Sequence, residues 1–353
     1  MKDETVHSFL LLILVVIATI SLFFAHRINL PLNAVPKENI SGRVNFASLR
    51  KIAWLPVPGA AAADLMALRF SPNGQYGGAV SSDGTLLLTG DGGQHWQTAG
   101  RAPLKEGEIA SSLVISDNGD VMLSASIDES AMTSFYDLDR NGQWKEHRGK
   151  YGGVGGSSED GKIFVGGGGL VGIANGGEWK ISKLPLCGEL MLYTAATSND
   201  RIFVAGDFGF VGTSVDFGQT WKCNQVKKDN TLVAIYGLAV RKDVVLAGGG
   251  QGALWWSTTA AMDWQRIDGL SKDMAVFAVY LSDDAMTAFA GGGDEAGSSP
   301  FVISTINGGA DWSSEVLSSA HGRVISFARG QGGLLFAATL DGHILIRHEE
   351  STH

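Results

Sequence analysis

The stretch of sequence that decides the fold is SVDFGQTW, which places Ser214, Asp216, Gly218 and Trp221 within one short segment. An aspartate side chain can accept backbone N–H groups from the residues that follow it, and glycine supplies a positive φ angle. The tryptophan then offers a large flat surface to a neighbouring sheet. The segment is therefore predicted to be a tight hairpin that punctuates the fold, rather than a catalytic site.

The same pattern recurs in weaker copies along the chain. The residues assigned to it as structural positions are Asp91, Trp96, Asp139, Trp144, Asp216, Trp221, Asn307 and Trp312. In the copy at Asp139, Asn141 stands where glycine is expected. Two further copies keep little beyond a turn and a tryptophan, Gly176 with Trp179 and Ser257 with Trp264. The pattern resembles the Asp-box, a hairpin motif of a large β-propeller superfamily, and that resemblance implies a place away from any active centre.

The spacing of the tryptophans gives the size of the repeating unit. Seven of the nine tryptophans, Trp54 and those that follow the turns, stand at positions 54, 96, 144, 179, 221, 264 and 312. A period of about 40 to 45 residues is the length of a four-stranded propeller blade. We therefore predict an all-β fold, a seven-bladed β-propeller of four-stranded blades over residues 44–348, with a short C-terminal tail at 349–353.

Composition agrees with many turns and excludes several classes of protein. Glycine is abundant, with 48 residues in 353, yet no Gly-X-Y period is present and hydrophobic content is 44%. Collagen and disorder are therefore poor explanations. The formal net charge of −9 argues against a nucleic-acid partner, because such proteins carry a basic surface to neutralise phosphate.

The two ends of the repeat region are incomplete in a complementary way. Residues 323–348 supply three strands without a following Asp-box, and Phe46 to Trp54 supplies one strand that ends in a tryptophan. We expect the N-terminal strand to complete the last blade and to pair with Ile344 to Ile346, so that the ring closes without a free sheet edge at the seam.

The N-terminus contains an apolar run, SFLLLILVVIATISLFFA at 8–25, which carries no charged residue and suffices to cross a bilayer. A cleavage site after Ala25 would be poor, so the run is predicted to be an uncleaved transmembrane helix between a short tail at 1–7 and a linker at 26–43. The propeller would then lie outside the cytoplasm, at the inner membrane facing the periplasm. For an exported chain, Cys187 and Cys223 could form a disulfide or remain two buried thiols.

A catalytic set is not apparent in the sequence. The histidines are scattered, no metal-ligand spacing or nucleophile elbow occurs, and the glycine runs lack the lysine of a phosphate loop. We expect no cofactor and no metal. Asp-boxes are known from sialidases, so a carbohydrate-active propeller is the alternative, although no Arg-Ile-Pro motif is present. A small-ligand-binding propeller also stays open, because one ring of Trp255 and Trp256 is expected in the core while the other could stack on a sugar or on a neighbouring blade.

One feature of the repeat points to a partner. The turn that joins the second and third strands of most units carries acidic residues, which would lie together on one face around the central channel. This candidate partner-binding rim consists of Asp83, Asp128, Glu129, Asp207, Asp294, Glu295 and Asp341. Aspartate is also a good turn residue, which is the structural alternative. As a functional site, the rim would dock a basic loop of a partner or a cation.

Over residues 46–348 the chain resembles the photosystem II stability and assembly factor family. The resemblance rests on the repeat period, the Asp-box hairpins and strand ends such as Leu246-Ala247-Gly248 and Phe289-Ala290-Gly291. It implies a non-catalytic propeller that holds a membrane subunit while a complex is built, in the thylakoid lumen if the source is photosynthetic. In a bacterium without photosynthesis, the resemblance implies another integral membrane complex, such as a transporter.

Overall fold

The computed structural model describes residues 42–127, 133–148, 154–175, 178–184, 190–317 and 322–349. Over these ranges the chain is all-β, and its helical elements are three short 3-10 turns, Gly167–Gly169, Asp207–Gly209 and Gln331–Gly333. The described part of the chain contains no helix with the length and apolar content needed to cross a membrane. The apolar run at 8–25 and most of the linker at 26–43 lie outside the described residues.

The strands follow one another as antiparallel meanders. A long N-terminal strand, β1 (Gly42–Ala61), precedes them. Four separate four-stranded sheets follow. The first contains β2 (Leu65–Phe70), β3 (Gly77–Ser81), β4 (Thr85–Thr89) and β5 (Gln97–Arg101), and the second contains β6 (Ile109–Ile115), β7 (Val121–Ser126), β8 (Ser134–Leu138) and β9 (Trp144–Arg148). The third contains β10 (Val154–Ser157), β11 (Ile163–Gly166), β12 (Leu170–Asn175) and β13 (Glu178–Lys183), and the fourth contains β14 (Leu192–Ser198), β15 (Arg201–Gly206), β16 (Phe210–Ser214) and β17 (Lys222–Gln225).

The rest of the chain continues the same pattern after a small ribbon of β18 (Lys227–Lys228) and β19 (Thr231–Leu232). Eleven strands then join β1 in one 12-stranded sheet: β20 (Ile235–Arg241), β21 (Val244–Gly249), β22 (Ala253–Ser257), β23 (Gln265–Asp268), β24 (Met274–Leu281), β25 (Ala288–Asp294), β26 (Phe301–Thr305), β27 (Asp311–Leu317), β28 (Val324–Arg329), β29 (Leu335–Thr339) and β30 (His343–Glu349). Within it, β20–β23, β24–β27 and β28–β30 are successive meanders that β1 connects.

The meanders pack around a common axis through their first strands. Strand β2 contacts β6, and contacts then follow in turn between β6 and β10, β10 and β14, β14 and β20, β20 and β24, and β24 and β28. Strand β28 contacts β2, so the succession closes on itself. Four-stranded antiparallel sheets arranged in this way have the architecture of a β-propeller. The predicted all-β propeller is therefore confirmed.

The core lies between neighbouring sheets, because each sheet is covered on both faces. Every residue of β22 is buried, and Trp255 and Trp256 point to opposite sides of it. Trp255 packs in the cluster that contains Phe203, whereas the ring of Trp256 meets Trp312 edge-on at 6.4 Å between centroids. Both rings belong to cores between sheets, so packing against a neighbouring sheet is confirmed for this pair and stacking on a sugar is wrong.

Glycines at the ends of the second strands allow the next sheet to approach closely. A Cβ atom on Gly248 of β21 would lie 2.4 Å from Cγ1 of Val276, and one on Gly291 of β25 would lie 2.8 Å from Cγ1 of Val324. Val276 and Val324 belong to the first strands of the following meanders. The recurring Ala-Gly strand ends therefore reflect close packing between sheets.

The N-terminal strand pairs with the last meander as predicted, but its predicted bounds and register are wrong, because Ile346 and Leu345 lie opposite Leu55 and Pro56. The part of β1 from Ile52 to Ala61 pairs antiparallel with β30, and Trp54 lies opposite Arg347. The part from Arg43 to Trp54 runs parallel to β27. The strand therefore extends past Trp54 through Pro56 and Pro58. Prolines are normally turn signals, but they are tolerated here because the pairing with β27 ends at Trp54, and beyond that residue β1 has a sheet partner on one side only.

A buried carboxylate connects the strands at this seam, the place where β1 pairs with β27 and β30. Glu315 of β27 is fully buried and accepts a hydrogen bond from Nε1 of Trp54 at 2.8 Å and one from Oγ of Ser304 at 2.7 Å. Nη2 of Arg347 forms an ion pair with it at 3.0 Å. Removal of a carboxylate from water is costly unless such partners compensate. Glu315 therefore joins β1, β26, β27 and β30 through one polar cluster.

Candidate functional site: the two mouths of the central channel

The first strands line a central channel that opens on two faces. On the first-turn face, defined by the turns that join first and second strands, the channel widens into a cavity of about 730 Å³. A second cavity of about 270 Å³ lies toward the second-turn face, where the turns that join second and third strands lie. Side chains from β2, β6, β10, β14, β20, β24 and β28 line this second cavity. The channel thus brings together residues that are distant in sequence.

The hairpins predicted to be Asp-boxes, for which we keep that name, share one hydrogen-bond pattern. At Asp216, Oγ of Ser214 donates to Oδ1 at 2.8 Å and accepts the N–H of Gly218 at 2.8 Å. The same Oδ1 accepts the N–H of Thr220 at 2.8 Å, and Nε1 of Trp221 donates to the carbonyl of Gly218 at 3.2 Å. Equivalent bonds form in two other hairpins, around Asp91 with Trp96 and around Asn307 with Trp312.

These hairpins also contact the preceding sheet. A Cβ atom on Gly93 would lie 2.3 Å from the Phe336 ring, and one on Gly218 would lie 2.4 Å from Ile173. A Cβ atom on Gly309 would lie 2.9 Å from the ring of Trp256. Each hairpin therefore fits against a side chain of the neighbouring sheet, which is the geometry expected of residues with a structural role.

The weaker copies form the same turn with substituted partners. Oδ1 of Asp139 accepts the N–H groups of Asn141 and Gln143, each at 2.9 Å, and the half-buried Trp144 opens β9. At Ser257, Thr259 replaces the aspartate by accepting the N–H of Asp263 at 2.8 Å. Gly176 lies outside the described residues, whereas Trp179 lies in β13 and is 37% exposed.

The pKa values of the Asp-box carboxylates agree with the hydrogen bonds that these groups accept within their turns. Hydrogen bonds from the hydroxyl and the N–H of Thr220 lower the pKa of Asp216 to about 2. The N–H and the ring of His95 lower the pKa of Asp91 well below its usual range. A carboxylate stabilised in its charged form by local donors contributes to the turn, and it is a poor general acid.

The described residues of the predicted acidic rim lie on the second-turn face, but several of their carboxylates accept hydrogen bonds within their own turns. Asp83 accepts hydrogen bonds from Oγ of Ser81 at 2.5 Å and from the N–H of Thr85 at 2.9 Å, and pairs with Arg101 at 3.2 Å. Asp294 likewise accepts hydrogen bonds from the N–H and the hydroxyl of Ser298, at 2.8 and 2.5 Å. Asp341 lies 3.4 Å from Nδ1 of His343. Asp128 and Glu129 lie outside the described residues.

Asp207 differs from these residues because its carboxylate contacts the channel lining. Oδ1 accepts a hydrogen bond from the hydroxyl of Tyr193 at 3.0 Å, and Oδ2 accepts the N–H of Met191 at 3.0 Å. Burial raises the pKa of this carboxyl group despite the two hydrogen bonds. Tyr193 lies on β14, so Asp207 joins a second-turn loop to the wall of the channel.

An arc of aromatic rings continues from Tyr193 along neighbouring first strands. The rings of Tyr193 and Tyr236 lie 5.5 Å apart, and Tyr236 stacks on Phe277 at 5.1 Å. The guanidinium of Arg323 lies over Phe277 at 5.4 Å and donates to the carbonyl of Glu295 at 2.7 Å. We call this group the acid–aromatic mouth; its members are Tyr193, Asp207, Tyr236, Phe277, Glu295 and Arg323.

The acid–aromatic mouth is suited to a side chain that is apolar or cationic. Burial raises the pKa of Tyr236, and the nearby charges of Asp207 and Glu295 add to this effect. Aromatic faces attract cations, and the position of Arg323 over Phe277 shows such a contact within the protein itself. The aromatic arc was missed in the sequence. Its signal is an aromatic residue that recurs one repeat apart in the first strands, between two buried neighbours.

The first-turn face carries a different set of charges, which was also missed. Arg241 of β20 pairs with Glu159 at 3.0 Å and with Asp283 at 3.4 Å. Asp283 in turn pairs with Arg329 of β28 at 2.7 Å. This chain of ion pairs borders the larger cavity, and Arg69 of β2 lines the same cavity. We call this group the arginine mouth; its members are Arg69, Glu159, Arg241, Asp283 and Arg329.

The described residues contain no group of three or more histidine, cysteine, aspartate or glutamate side chains that could hold a metal ion. Cys223 lies half-buried in β17, whereas Cys187 lies outside the described ranges. The predicted choice between a disulfide and two thiols therefore stays a prediction.

Solved structures of other proteins share the fold of this chain. No family model and no curated protein sequence matches the chain. Among solved structures, YCF48 from Cyanidioschyzon merolae is similar with a TM-score of 0.62 and 15% identity, over 85% of this chain and 99% of that one. A structure of YCF48 bound to D1 peptide has a TM-score of 0.63 and 16% identity, over 84% and 94%. A structure of the mitotic checkpoint complex matches with a TM-score of 0.62 and 13% identity, over 92% and 98%.

These similarities support one fold for proteins with different roles. At 13% to 16% identity they establish the architecture, not the function. The propeller fold is shared with YCF48, so the resemblance stated from the sequence is supported at the level of the fold. The function must therefore be argued from the mouths of the channel.

Proposed function

We propose that the protein is a non-catalytic propeller scaffold that holds a segment of an integral membrane protein while a membrane complex is assembled or stabilised. Two of the similar solved structures are of YCF48, a photosystem II assembly factor. Their similarity supports a scaffold of this kind. One of them contains a D1 peptide, which supports protein–protein interaction as the mode of action.

The proposal includes a seven-bladed ring. Its blades are β2–β5, β6–β9, β10–β13, β14–β17, β20–β23, β24–β27 and β28–β30 with β1. Residues 8–25 are proposed to anchor the chain in the inner membrane by a single pass, with the propeller facing the periplasm, or the thylakoid lumen in a photosynthetic source. A tethered scaffold meets a membrane partner at a raised local concentration, which favours binding even when the affinity of the interface is modest.

The observation that carries the proposal is the acid–aromatic mouth. Tyr193, Tyr236 and Phe277 form one continuous arc at the end of the channel, and Asp207 and Glu295 add negative charge beside it. Rigid aromatic side chains are typical anchors of protein interfaces, because they bury a large area and lose little conformational entropy. The matching ligand is an extramembrane segment with apolar and basic residues.

The experiment compares capture of membrane proteins by tagged full-length chains in detergent extracts. We expect the double variant Asp207→Asn with Glu295→Gln to recover the partner at least about tenfold less efficiently than the unaltered chain, since a tenfold loss needs only one or two such contacts. The matched control, Asp120→Asn with Asp200→Asn, neutralises two exposed carboxylates elsewhere and should leave recovery unchanged.

Two results would count against the proposal. Equal recovery by the unaltered chain and the acid–aromatic variant would exclude this mouth as the contact. Turnover of a fluorogenic glycoside by the purified protein would favour the carbohydrate-active alternative, provided that the activity is lost when a carboxylate of the channel is neutralised.

A further inference from the structure

Every first strand carries one extra residue at an equivalent place. In each of β2, β6, β10, β14, β20, β24 and β28, the pairing with the second strand skips one residue, which is a β-bulge. Each skipped residue is half-buried and lines the smaller cavity of the channel. A bulge frees its extra residue from the ladder and redirects the side chain, so these positions form a ring, which we call the collar. Its members are Met66, Ser111, Gly155, Tyr193, Tyr236, Phe277 and Ile325.

The collar is filled unevenly. Three neighbouring members, Tyr193, Tyr236 and Phe277, are aromatic, whereas the members on β6 and β10 are Ser111 and Gly155. A Cβ atom on Gly155 would lie 2.2 Å from the carbonyl oxygen of Leu192, so the backbone of β14 excludes any larger residue there. The collar therefore has an opening beside its aromatic members, which we call the notch; it is bounded by Ser111, Gly155 and Tyr193.

Hydroxyl groups line the cavity next to the notch. Oγ of Ser112 donates to Oγ of Ser157 at 2.8 Å, and Oγ of Ser111 lies 3.0 Å from Oγ of Ser124. The side chain of Thr194 lines the same cavity. A hydroxyl group donates one hydrogen bond and accepts two, so these groups can also contact a polar atom of a ligand. The cavity thus offers aromatic faces on one side and hydroxyl groups on the other.

The charges at the two ends of the cavity favour an uncharged ligand. Asp207 and Glu295 lie at the mouth beside Tyr236, and the half-buried Arg69 lines both cavities of the channel. An anion would have to pass the two carboxylates, and a cation that reached the inner end would meet a guanidinium group. The guanidinium of Arg323 already lies over the Phe277 ring. Basic residues of a bound segment therefore fit the outside of the mouth, and a neutral side chain fits the inside.

We propose that the notch is a pocket for a phenol ring, which a tyrosine of the partner segment inserts from the second-turn face. The ring packs along the aromatic members of the collar, and its hydroxyl group forms a hydrogen bond with Ser111 or with the pair of Ser112 and Ser157. The cavity of about 270 Å³ is smaller than most ligand pockets, so it takes one side chain rather than a folded segment. This inference rests on the proposed function, since it names the residue by which the segment is held.

The test measures binding of three amino-acid amides to the full-length chain by saturation-transfer NMR. The probes are N-acetyl-tyrosinamide, N-acetyl-phenylalaninamide and N-acetyl-argininamide. We expect the tyrosine probe to bind with a dissociation constant of about 10 mM or tighter, and the phenylalanine probe about threefold to tenfold more weakly, the usual effect of one lost hydrogen bond. Equal binding of these two probes, tighter binding of the arginine probe, or no binding of any probe at about 50 mM overturns the proposal.

Variants locate the binding in the notch. Ser111→Leu fills the notch and should weaken binding of the tyrosine probe at least about tenfold, with an unchanged melting temperature because the extra residue of a bulge lies outside the ladder. Phe277→Ala removes one ring of the collar and should also weaken binding, which keeps the proposal testable if the first variant fails to fold. Thr98→Leu makes a similar change at an exposed position of β5 and should bind like the unaltered chain. Unchanged affinity in both Ser111→Leu and Phe277→Ala contradicts the pocket.

Probe binding and partner capture fail separately. If the tyrosine probe binds in the notch and no membrane protein is captured, the pocket stands and the proposed function is wrong. If the tyrosine probe does not bind, and Ser111→Leu captures the membrane partner as well as the unaltered chain does, the pocket is wrong and the proposed function stands.

Discussion

At the scale of single residues, the Asp-box shows how far local chemistry can be predicted. Its hydrogen bonds join residues within the same short hairpin, so Asp216 and Asn307 make equivalent contacts in different units. A position such as Asp207 could be placed on the correct face from its turn, but its contact with Tyr193 could not be foreseen. That contact depends on how a loop folds back over another strand, which a turn pattern does not encode.

The Asp216 carboxylate predicts a pH dependence of stability. Its pKa is lowered in the folded chain from 3.8 to about 2. The stabilisation is therefore complete above about pH 4 and is lost as pH falls through about 2. In Asp216→Asn the titrating group is absent. We expect the variant to be slightly less stable near neutral pH and the difference from the unaltered chain to shrink as pH falls from 4 to 2, as measured by urea unfolding at each pH. A difference that stays constant across this range would contradict the assignment.

At the scale of elements, strand β1 is the part of the fold that joins distant segments. The repeat predicted that an N-terminal strand completes the last unit, because the two incomplete ends were visible in the sequence. The length of the strand was not predictable, since Pro56 and Pro58 read as turn residues. The hydrogen bond between Trp54 and Glu315 was not predictable either, because the two residues lie 261 positions apart in the chain. Only the closed ring brings these two side chains together.

Glu315 provides a test of the seam. Glu315→Ala removes the buried carboxylate that Arg347 and Nε1 of Trp54 contact, so we expect a loss of about 3–5 kcal/mol in the free energy of unfolding. The control is Glu146→Ala, which removes an exposed carboxylate paired with Lys105 and should cost about 0–1 kcal/mol. Urea denaturation of both variants measures the difference. Equal losses would mean that the buried cluster does not fasten the seam.

Close packing between sheets gives a second prediction at this scale. Gly248→Ala introduces a Cβ atom 2.4 Å from Cγ1 of Val276, so adjacent sheets must separate or distort. We expect a loss of about 1–3 kcal/mol, the usual cost of overpacking. Gly250→Ala is the matched control, because its nearest neighbour would be the ring of Tyr236 at 3.8 Å. If thermal unfolding shows the two variants to be equally stable, the packing argument is wrong.

At the scale of the whole molecule, the channel has two chemically different ends. The second-turn face offers aromatic rings and carboxylates, and the first-turn face offers arginines that form ion pairs with carboxylates. The sequence predicted the ring and one acidic face, because those follow from a repeat and its turns. It did not reveal the aromatic arc or the arginine mouth, since each assembles single residues from several first strands that meet only when the ring closes.

The central claim is that the acid–aromatic mouth holds a segment of a membrane protein. The most direct measurement is site-specific photo-crosslinking in native membranes, with a photoreactive amino acid at Phe277 and, as the control, at the exposed Val215 of an Asp-box turn. We predict one discrete adduct with a membrane protein from position 277, absent from position 215 and lost when Asp207 and Glu295 are neutralised. Three results would contradict the claim: no adduct from position 277, the same adduct from position 215, or an adduct from position 277 that persists when Asp207 and Glu295 are neutralised.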